Sequence, residues 1–321
     1  MTQPEHAPSY RRLSGRPPAA YGAFGLSIRS DLPLDLPAGG GARADVRVVW
    51  QPDLRRRGGR TIARLALPDL AEFVVDECAD GSFEIAFEDL ALFRWDPATS
   101  VLSAAAPDAR TAAVLVSGTV LATVLELSGQ WTLHGSAVEW RDRAVVFTAG
   151  SGGGKSTLAA WCTLAGAKLV ADDVVVLTGH AGGIRCLRGE GRIRLRSTAS
   201  ELAALLGPAE VSSDGRLLVR PAMASSLSLP VAALVSVYPT FDGGGDGDGG
   251  RVERLGPAAA VECVLSAARV AGWSERDVLS RRLEHAAEVV SGTAVLAARV
   301  PWGPPFDAAT PAALLDDLLR A

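Results

Sequence analysis

Apolar and polar residues alternate in short runs over the first third of the chain. Two such runs are "DVRVVW" at 45–50 and "SFEIAFEDLALFRW" at 82–95, and Gly, Pro and Asp separate them. A period of two is typical of strands that place one face against a core. The pattern predicts a small β-rich N-terminal domain over 21–128, preceded by a polar N-terminus over 1–20 that we expect to be flexible.

A helical period replaces the alternation after position 107. Asp108 is placed as an N-cap, and the apolar stretch that follows it ends near Gly129. Within this stretch, 112–127 contains four polar side chains, so it falls short of the ~20 uninterrupted apolar residues of a membrane span. We therefore expect a buried helix that links the two halves, and no membrane as a partner.

The second half, 129–321, has the patterning of an α/β domain. Two apolar runs, "TLHGSAVEW" and "RAVVFTAG", are separated by a charged turn and followed by a glycine-rich loop, a helix and another strand. A final amphipathic helix is predicted over Pro311–Arg320. The stretch "DGGGDGDGG" at 242–250 has no side chains that can pack, so it predicts a mobile surface loop. A calcium loop is the alternative, but the aspartate spacing and the distal glutamate of such a loop are absent here.

The glycine-rich loop has the pattern of a phosphate-binding P-loop. Glycines let successive backbone N–H groups converge on phosphate oxygens, Lys155 can reach the outer phosphates, and Ser156 can ligate magnesium. Ala149 stands where the pattern GxxxxGK[ST] has its first Gly, which matters if the turn needs a positive φ. The alternative is a glycine-rich turn that only caps a helix. The predicted nucleotide-binding residues are Gly150, Ser151, Gly152, Gly153, Gly154, Lys155, Ser156 and Thr157.

Two adjacent carboxylates interrupt the next apolar run, "KLVADDVVVL" at 168–177. Burying them is costly unless they have cationic or metal partners. Since one helix and a tight turn separate this run from the glycine loop, we expect its strand to lie beside the strand that precedes the loop. Asp172 could then organise magnesium, and Asp173 could accept a proton from an attacking hydroxyl. The alternative is an Asp-Asp turn between two short strands.

Further candidates come from a histidine and from a basic run. His134, in the strand before the glycine loop, is a catalytic candidate at the same sheet edge, or a structural histidine. In "RIRLR" at 192–196, a period of two would place three arginines on one strand face. Arg194 and Arg196 are the predicted substrate-binding residues, because guanidinium groups bind phosphate or carboxylate bidentately; a solvated strand face is the alternative. The arginines at 55–60 predict a flexible basic turn.

Composition limits the cellular compartment and the kinds of partner that we expect. The formal net charge is -4, with acids and bases interspersed, so nucleic acid is not an expected partner. The four cysteines form no CxxC pair, which argues against a zinc cage and favours a reducing cytoplasm. Ser128 and Ser136 lack a convincing His and acid partner, so a hydrolase triad is not predicted.

The segments "LHGSAV", "GSGGGKSTLA" and "GAKLVADDVVVL", in this order between Leu133 and Leu177, resemble the C-terminal domain of HPr kinase/phosphorylase and its related serine kinases. The resemblance implies a P-loop domain related to phosphoenolpyruvate carboxykinase, with ATP and Mg²⁺ as cofactors and with self-association into homo-oligomers. It implies nucleotide and magnesium binding for the loop residues and for Asp172, and phosphoryl transfer for the acidic pair and His134. Asp173 is our choice for the base.

One departure from that family and one further resemblance bear on the substrate. The family's glutamate-containing "LEIRGLG"-like signature is replaced by "CLRGEGRIRL", with Cys186 where the acid would fall and Glu190 nearby. A reverse phosphorylase activity is therefore not implied. The segment "YGAFGLSIRSDLPL" at 21–34 resembles the divergent kinases of lasso-peptide biosynthesis, which phosphorylate a precursor peptide, in known cases at its C-terminal serine.

The sequence thus predicts an α/β protein with a P-loop kinase domain of the HPr kinase/phosphoenolpyruvate carboxykinase type over 129–321. The predicted function is an ATP-dependent serine kinase acting on a peptide or small protein, with a lasso precursor peptide as the leading acceptor. A regulatory HPr-type kinase and a non-catalytic nucleotide-binding switch are the alternatives.

Overall fold

A computed structural model describes residues 17–66, 71–150, 152–212, 215–240 and 252–321. The strands are β1 Ala19–Ala23, β2 Leu26–Ser30, β3 Val46–Trp50, β4 Arg60–Leu65, β5 Phe73–Glu77, β6 Phe83–Phe87, β7 Ala91–Asp96, β8 Val101–Ala105, β9 Trp131–Trp140, β10 Arg143–Thr148, β11 Lys168–His180, β12 Gly183–Leu187, β13 Ile193–Leu195, β14 Glu210–Val211, β15 Leu217–Val219, β16 Ser228–Thr240, β17 Val252–Arg254 and β18 Ala294–Pro301. The helices are α1 Ala109–Leu115, α2 Leu121–Leu127, α3 Lys155–Leu164, α4 Ser200–Leu206, α5 Pro257–Ser266, α6 Arg276–Gly292 and α7 Ala309–Arg320.

Two compact units divide the chain. The first contains 17–22, Leu26–Val120 and Gly272–Ser274, and the second contains Ala23–Gly25, Leu121–Ala271 and Glu275–Ala321. The mixed α/β character predicted from the sequence is confirmed. The domain limits predicted at 20/21 and 128/129 stay a prediction. Positions 1–16 and the glycine-rich stretch at 242–250 lie outside the described residues.

The first unit is built on an eight-stranded sheet in the order β1-β2-β3-β8-β7-β6-β5-β4. Strands β2, β3 and β8 run parallel to one another, and β8 to β4 form an antiparallel meander. Side chains such as Val48, Ile85 and Phe93 are fully buried. The alternating runs therefore became strands as predicted, because each one has a face to bury.

The basic turn at 55–60 contacts carboxylates of the first unit, and its predicted flexibility stays a prediction. Glu84 is 0% exposed and accepts hydrogen bonds from the backbone N–H groups of Arg57 and Gly58, both at 3.0 Å. The Arg94 Nε also donates to Glu84, at 3.1 Å, and Arg56 pairs with Asp76 at 2.9 Å. The side chains of Arg56 and Arg94 are thus paired with buried acids of the first unit.

The predicted linking helix begins and ends where the sequence indicates. Asp108 accepts hydrogen bonds from the Arg110 and Thr111 backbone N–H groups at 2.8 and 2.9 Å, as an N-cap does. A π-helical turn over Val116–Val120 joins α1 to α2. The helical stretch Ala109–Leu127 is apolar and long enough to cross a membrane, but 61% of its apolar window is buried inside the protein. That burial is typical of a core helix.

The second unit contains a seven-stranded sheet in the order β10-β9-β11-β12-β16-β18-β17, and β10 also pairs with β16 in parallel. The expectation that β11 lies beside β10 is therefore wrong, because β9 lies between them. The reason is a tight hairpin: Arg141 and Asp142 both adopt positive φ, as in a type I′ turn, and fold β9 onto one edge of β10. Strand β16 occupies the other edge.

Helices cover both faces of this sheet. Alternate residues of β10 enter two separate cores: Val145 and Phe147 pack with α3, α4 and α7, whereas Ala144 and Val146 pack with α5 and α6. A strand buried on both faces reads as a continuous apolar run, which is the pattern seen in "RAVVFTAG". The edge of the sheet where β10 ends is thus held rigidly from both sides.

Candidate functional site

A glycine loop, Ala149–Gly154, connects β10 to α3 as the sequence predicts, although Ser151 lies outside the described residues. Gly154 is the residue before the helix and has φ 84°. A methyl group at this position would lie 2.6 Å from Trp302. Only glycine combines that backbone conformation with such a close neighbour.

Ala149 fits the loop without strain. It is not among the residues with positive φ, so the start of the loop does not need the glycine that the P-loop pattern has there. Its side chain instead fills space beside Gly153, where an added methyl group would lie 2.7 Å from the Ala149 Cβ. The departure from the motif is accommodated locally.

Lys155 is buried at the first turn of α3 and points back over the loop. Its side chain is part of a residue only 5% exposed, and its Nζ donates to the carbonyl oxygens of Ala149 and Gly150 at 3.0 and 3.2 Å. Burial lowers the pKa of this ammonium group, while the nearby carboxylates of Asp172 and Asp173 oppose that shift. The ammonium group therefore lies close to both acids.

The two acids lie in one continuous strand, β11, and not in a turn between two strands. Neighbouring residues of a strand normally point to opposite faces. Asp173, however, adopts φ 66°, a left-handed conformation that is uncommon for a residue other than glycine. This local twist breaks the alternation, so both side chains line the same cavity. Strain of this kind is concentrated at functional sites.

Asp172 is the more buried acid and is held by neutral donors. It is 2% exposed, its Oδ1 accepts from Ser136 Oγ at 2.5 Å, and its Oδ2 accepts from the Arg194 backbone N–H at 3.1 Å. Burial raises the pKa of Asp172, and these hydrogen bonds oppose the rise.

Asp173 is held by the side chains of Arg269 and His134. Arg269 Nη2 lies 2.9 Å from its Oδ2, and His134 Nδ1 lies 3.2 Å from its Oδ1. Burial by itself would raise the pKa of this carboxyl, but Arg269 and His134 outweigh burial and hold it well below the usual range. Asp173 is therefore an ionised carboxylate at neutral pH, at the centre of a three-residue cluster.

Arg269 is a functional candidate that the sequence reasoning missed. It lies 96 positions from Asp173 in the chain, in an ordinary alanine-rich context that gives no motif. Its backbone N–H donates to the Thr132 carbonyl at 2.9 Å, and the His134 N–H donates to the Ala267 carbonyl at 2.6 Å. The segment 267–270 is thereby fastened to β9, which carries His134.

A buried ion pair supports the same segment. Glu126 is 4% exposed and accepts from Arg282 Nη2 at 2.6 Å and from Thr132 Oγ1 at 2.6 Å. Arg282 also donates to the carbonyl of Val270, the residue after Arg269. The pair ties α2 and α6 to the segment that places the Arg269 guanidinium against Asp173.

A cavity of about 790 Å³ brings most of the predicted residues together. It is lined by His134, Gly152, Gly154, Lys155, Ser156, Thr157, Asp172, Asp173, Arg194 and Arg196 from the prediction, and also by Arg216, Arg269, Trp302, Pro304 and Phe306. Gly150 and Gly153 belong to the same loop, but they do not line the cavity. The assignment of roles to these residues stays a prediction.

The three arginines of "RIRLR" do not share one face, which corrects that part of the prediction. Arg192 is 5% exposed and pairs with the buried Glu190 at 3.0 Å. Burial raises the pKa of Glu190 to about 8, against the opposing effect of Arg192. Arg194 and Arg196 do line the cavity, and the Arg196 guanidinium lies against Gly152, 3.3 Å from where a Cβ would be.

The residues present fit a magnesium nucleotide. Among the described residues, no cluster of three or more His, Cys, Asp or Glu side chains could hold a metal by itself. Ser156 and Asp172, which both line the cavity, supply two hard oxygen ligands. Magnesium usually binds through one or two such groups, with substrate phosphates and waters completing its shell.

Comparisons with known proteins give a distant likeness. No family model and no curated protein matches the chain. Among solved structures, the chain is similar to the HPr(Ser) kinase/phosphatase from Coxiella burnetii, at 15% identity, with 59% of this chain and 93% of that chain covered and a TM-score of 0.29. The roles proposed below rest on the geometry of this chain's own residues.

Proposed function

We propose that this protein is an ATP-dependent kinase of the HPr kinase type that phosphorylates a serine hydroxyl on a peptide. The observation that carries the proposal is the meeting of two groups in one cavity: the glycine loop with Lys155, and the cluster of Asp173, His134 and Arg269. Phosphoryl transfer requires little more than a cradle for the phosphates and a carboxylate that positions the attacking hydroxyl.

The donor side is formed by the loop and the start of α3. Backbone N–H groups of the loop and the N-terminus of α3 attract phosphate oxygens. Lys155 is held close by backbone carbonyls, and its ammonium group can exchange these neutral partners for charged phosphates. Ser156 and Asp172 would hold Mg²⁺, which when bound neutralises charge on the transferring group.

The acceptor side is formed by Asp173. Its low pKa makes it a weak base, but in a loose transition state the hydroxyl keeps its proton until late, so orientation matters more than basicity. Arg269 and His134 fix the carboxylate in place. The hydroxyl proton passes to Asp173 as the oxygen bonds to phosphorus, and the nucleoside diphosphate leaves.

A peptide acceptor is supported by the basic wall of the cavity. Arg194 and Arg196, the predicted substrate-binding residues, lie on this wall together with Arg216. We propose that Arg194 meets the carboxylate of a C-terminal serine, whereas Arg196, which lies against Gly152, also reaches the donor phosphates.

The test is a transfer assay with three acceptors. Purified protein, ATP and Mg²⁺ are incubated with a precursor peptide ending in serine, with the same peptide amidated at its C-terminus, or with an HPr-like protein. We expect a gain of ~80 Da, the mass of one phosphoryl group, on the free peptide. The amidated peptide should react more slowly, and Arg194→Ala should narrow that difference.

The alternatives give different results in the same assay. Phosphorylation of the HPr-like protein with none of the peptide would replace the proposal with a regulatory protein kinase. Tight ATP binding without transfer to any acceptor, and without hydrolysis, would indicate a nucleotide-dependent switch.

A further inference from the structure

We propose that Trp302 forms an aromatic wall that stacks on the purine ring of the bound nucleotide. This inference rests on the proposed function and deepens it, since nothing in the glycine loop motif says where the base lies. The wall comprises Trp302, Pro304 and Phe306, which all line the cavity.

The topology of β10 separates two sides of the site. On one edge of β10, β9 and then β11 carry His134 and Asp173, the acceptor side. On the other edge lies β16, and the Trp302 N–H donates to the carbonyl of Thr240, the last residue of β16, at 2.8 Å. The glycine loop follows β10, between these two sides.

A nucleotide bound across this loop has a defined direction. Its terminal phosphate must face Asp173 if transfer is to occur. Its base then extends the other way, toward the β16 side. Trp302 lies on that side, and its six-membered ring lies against Gly154, where an added methyl group would be 2.6 Å from the ring.

The wall is held in place before any ligand arrives. Trp161, on α3, donates its Nε1–H to the Asp307 carbonyl at 2.6 Å and meets the Phe306 ring edge-to-face, with centroids 5.5 Å apart. Asp307 in turn accepts from the Thr310 N–H at 2.7 Å at the start of α7. A preorganised aromatic surface binds a planar ring with little entropy cost.

The ligand class follows from the chemistry of the wall. The sequence "PWGPPF" over 301–306 has no charged or amide side chain, and a planar aromatic ring is its natural partner. Removing an aromatic stacking partner of a base is expected to weaken binding about tenfold.

The test compares ATP with inorganic tripolyphosphate, both with Mg²⁺, by calorimetric titration. Three variants are used: Trp302→Ala, Trp302→Leu, which keeps apolar bulk against Gly154, and Trp302→Phe, which keeps an aromatic face. We expect the Ala and Leu variants to raise the Kd for ATP about tenfold and to leave the Kd for tripolyphosphate unchanged. The Phe variant should retain most of the ATP affinity. Thermal unfolding of each variant checks the fold.

Other outcomes overturn the inference, and they are distinguishable from failure of the kinase proposal. An equal loss for both ligands would show that Trp302 only supports the glycine loop. An unchanged Kd for ATP with a raised KM for the peptide in the Leu variant would assign the wall to the acceptor. Wild-type protein that binds neither ATP nor tripolyphosphate would remove the donor site itself, and with it the proposed function.

Discussion

The glycine loop and the acid cluster are built in opposite ways. The loop is made of consecutive residues, 149–154, whose conformation depends on their own glycines and on the strand and helix beside them. The acid cluster draws its partners from positions scattered along the second unit: His134, Ser136, Arg194 and Arg269 all contact Asp172 or Asp173. A site built from consecutive residues can be recognised in the sequence as a motif. A site built from distant residues can be recognised only in the folded structure.

The difference extends to the two acids themselves. Asp172 is surrounded by hydroxyl and backbone donors, and burial raises its pKa. Asp173, one residue further, has Arg269 and His134 as partners, and they lower its pKa against the effect of burial. Two adjacent, chemically identical side chains therefore lie in different electrostatic environments, and the proposed function gives them different roles.

The largest effect is expected from a change in the glycine loop and its lysine. Lys155→Ala should lower kcat/KM by about a thousandfold or more, because the cation that meets the transferring phosphoryl group is lost. The measurement is phosphate incorporation into the serine peptide. Lys168→Ala is the matched control, since Lys168 lies on the same unit, does not line the cavity and pairs with Glu139 at 3.6 Å. Near-wild-type turnover by Lys155→Ala would refute the kinase proposal.

The two acids should separate in kinetics. Asp173→Asn should lower kcat by about a hundredfold, the lower end of the range for proton-transfer groups, and leave ATP affinity nearly intact. Asp172→Asn should instead raise the Mg²⁺ concentration needed for half-maximal rate. Both are read from rate measurements at varied Mg²⁺. Equal defects in the two variants, both rescued by Mg²⁺, would contradict the division of labour.

Arg269 tests the part of the site assembled at long range. Its removal should lower kcat about tenfold, because Asp173 loses the partner that positions it. The pKa of Asp173 should also rise toward its ordinary value, since Arg269 is the main group lowering it. The acid limb of the pH–rate profile should therefore move to higher pH in Arg269→Ala, and Arg269→Lys should restore part of the shift. If the acid limb stays at the same pH in Arg269→Ala, Arg269 does not set the pKa of the catalytic carboxylate Asp173.

The buried ion pair behind Arg269 should affect stability more than chemistry. Arg282→Ala leaves Glu126 buried without its cation, a change that costs about 3–5 kcal/mol of folding free energy. Denaturant unfolding measures this loss. Arg276→Ala, on an exposed position of the same helix, should cost less than about 0.5 kcal/mol. Similar losses for the two variants would show that the pair does not hold the segment 267–270.

The smallest effect is expected where the loop departs from its motif. Ala149→Gly should change kcat/KM by less than about threefold, because Ala149 already has an ordinary φ and restoring glycine relieves nothing. Gly153→Ala is the contrasting variant, since its methyl group would lie 2.7 Å from the Ala149 Cβ and force the loop to shift. A large gain from Ala149→Gly would show that the loop is strained after all.

Much of the local structure could be predicted from the sequence. Alternation marked the strands of the first unit, Asp108 marked a helix start, and the glycine run marked the turn between β10 and α3, because each of these depends on neighbouring residues only. The predicted site residues were found by the same kind of reasoning, and most of them share one cavity.

Tertiary structure decided what neighbours in the chain could not. The pairing of β9 with β11, the left-handed conformation of Asp173 and the contact of Arg269 with Asp173 across 96 positions depend on strand pairing and on packing between distant segments. A residue's type and immediate context determine which chemistry it can perform and which local conformations it favours. Its partners, and hence its protonation state and orientation, depend on contacts between segments far apart in the chain, and the residue's own sequence context does not specify those contacts.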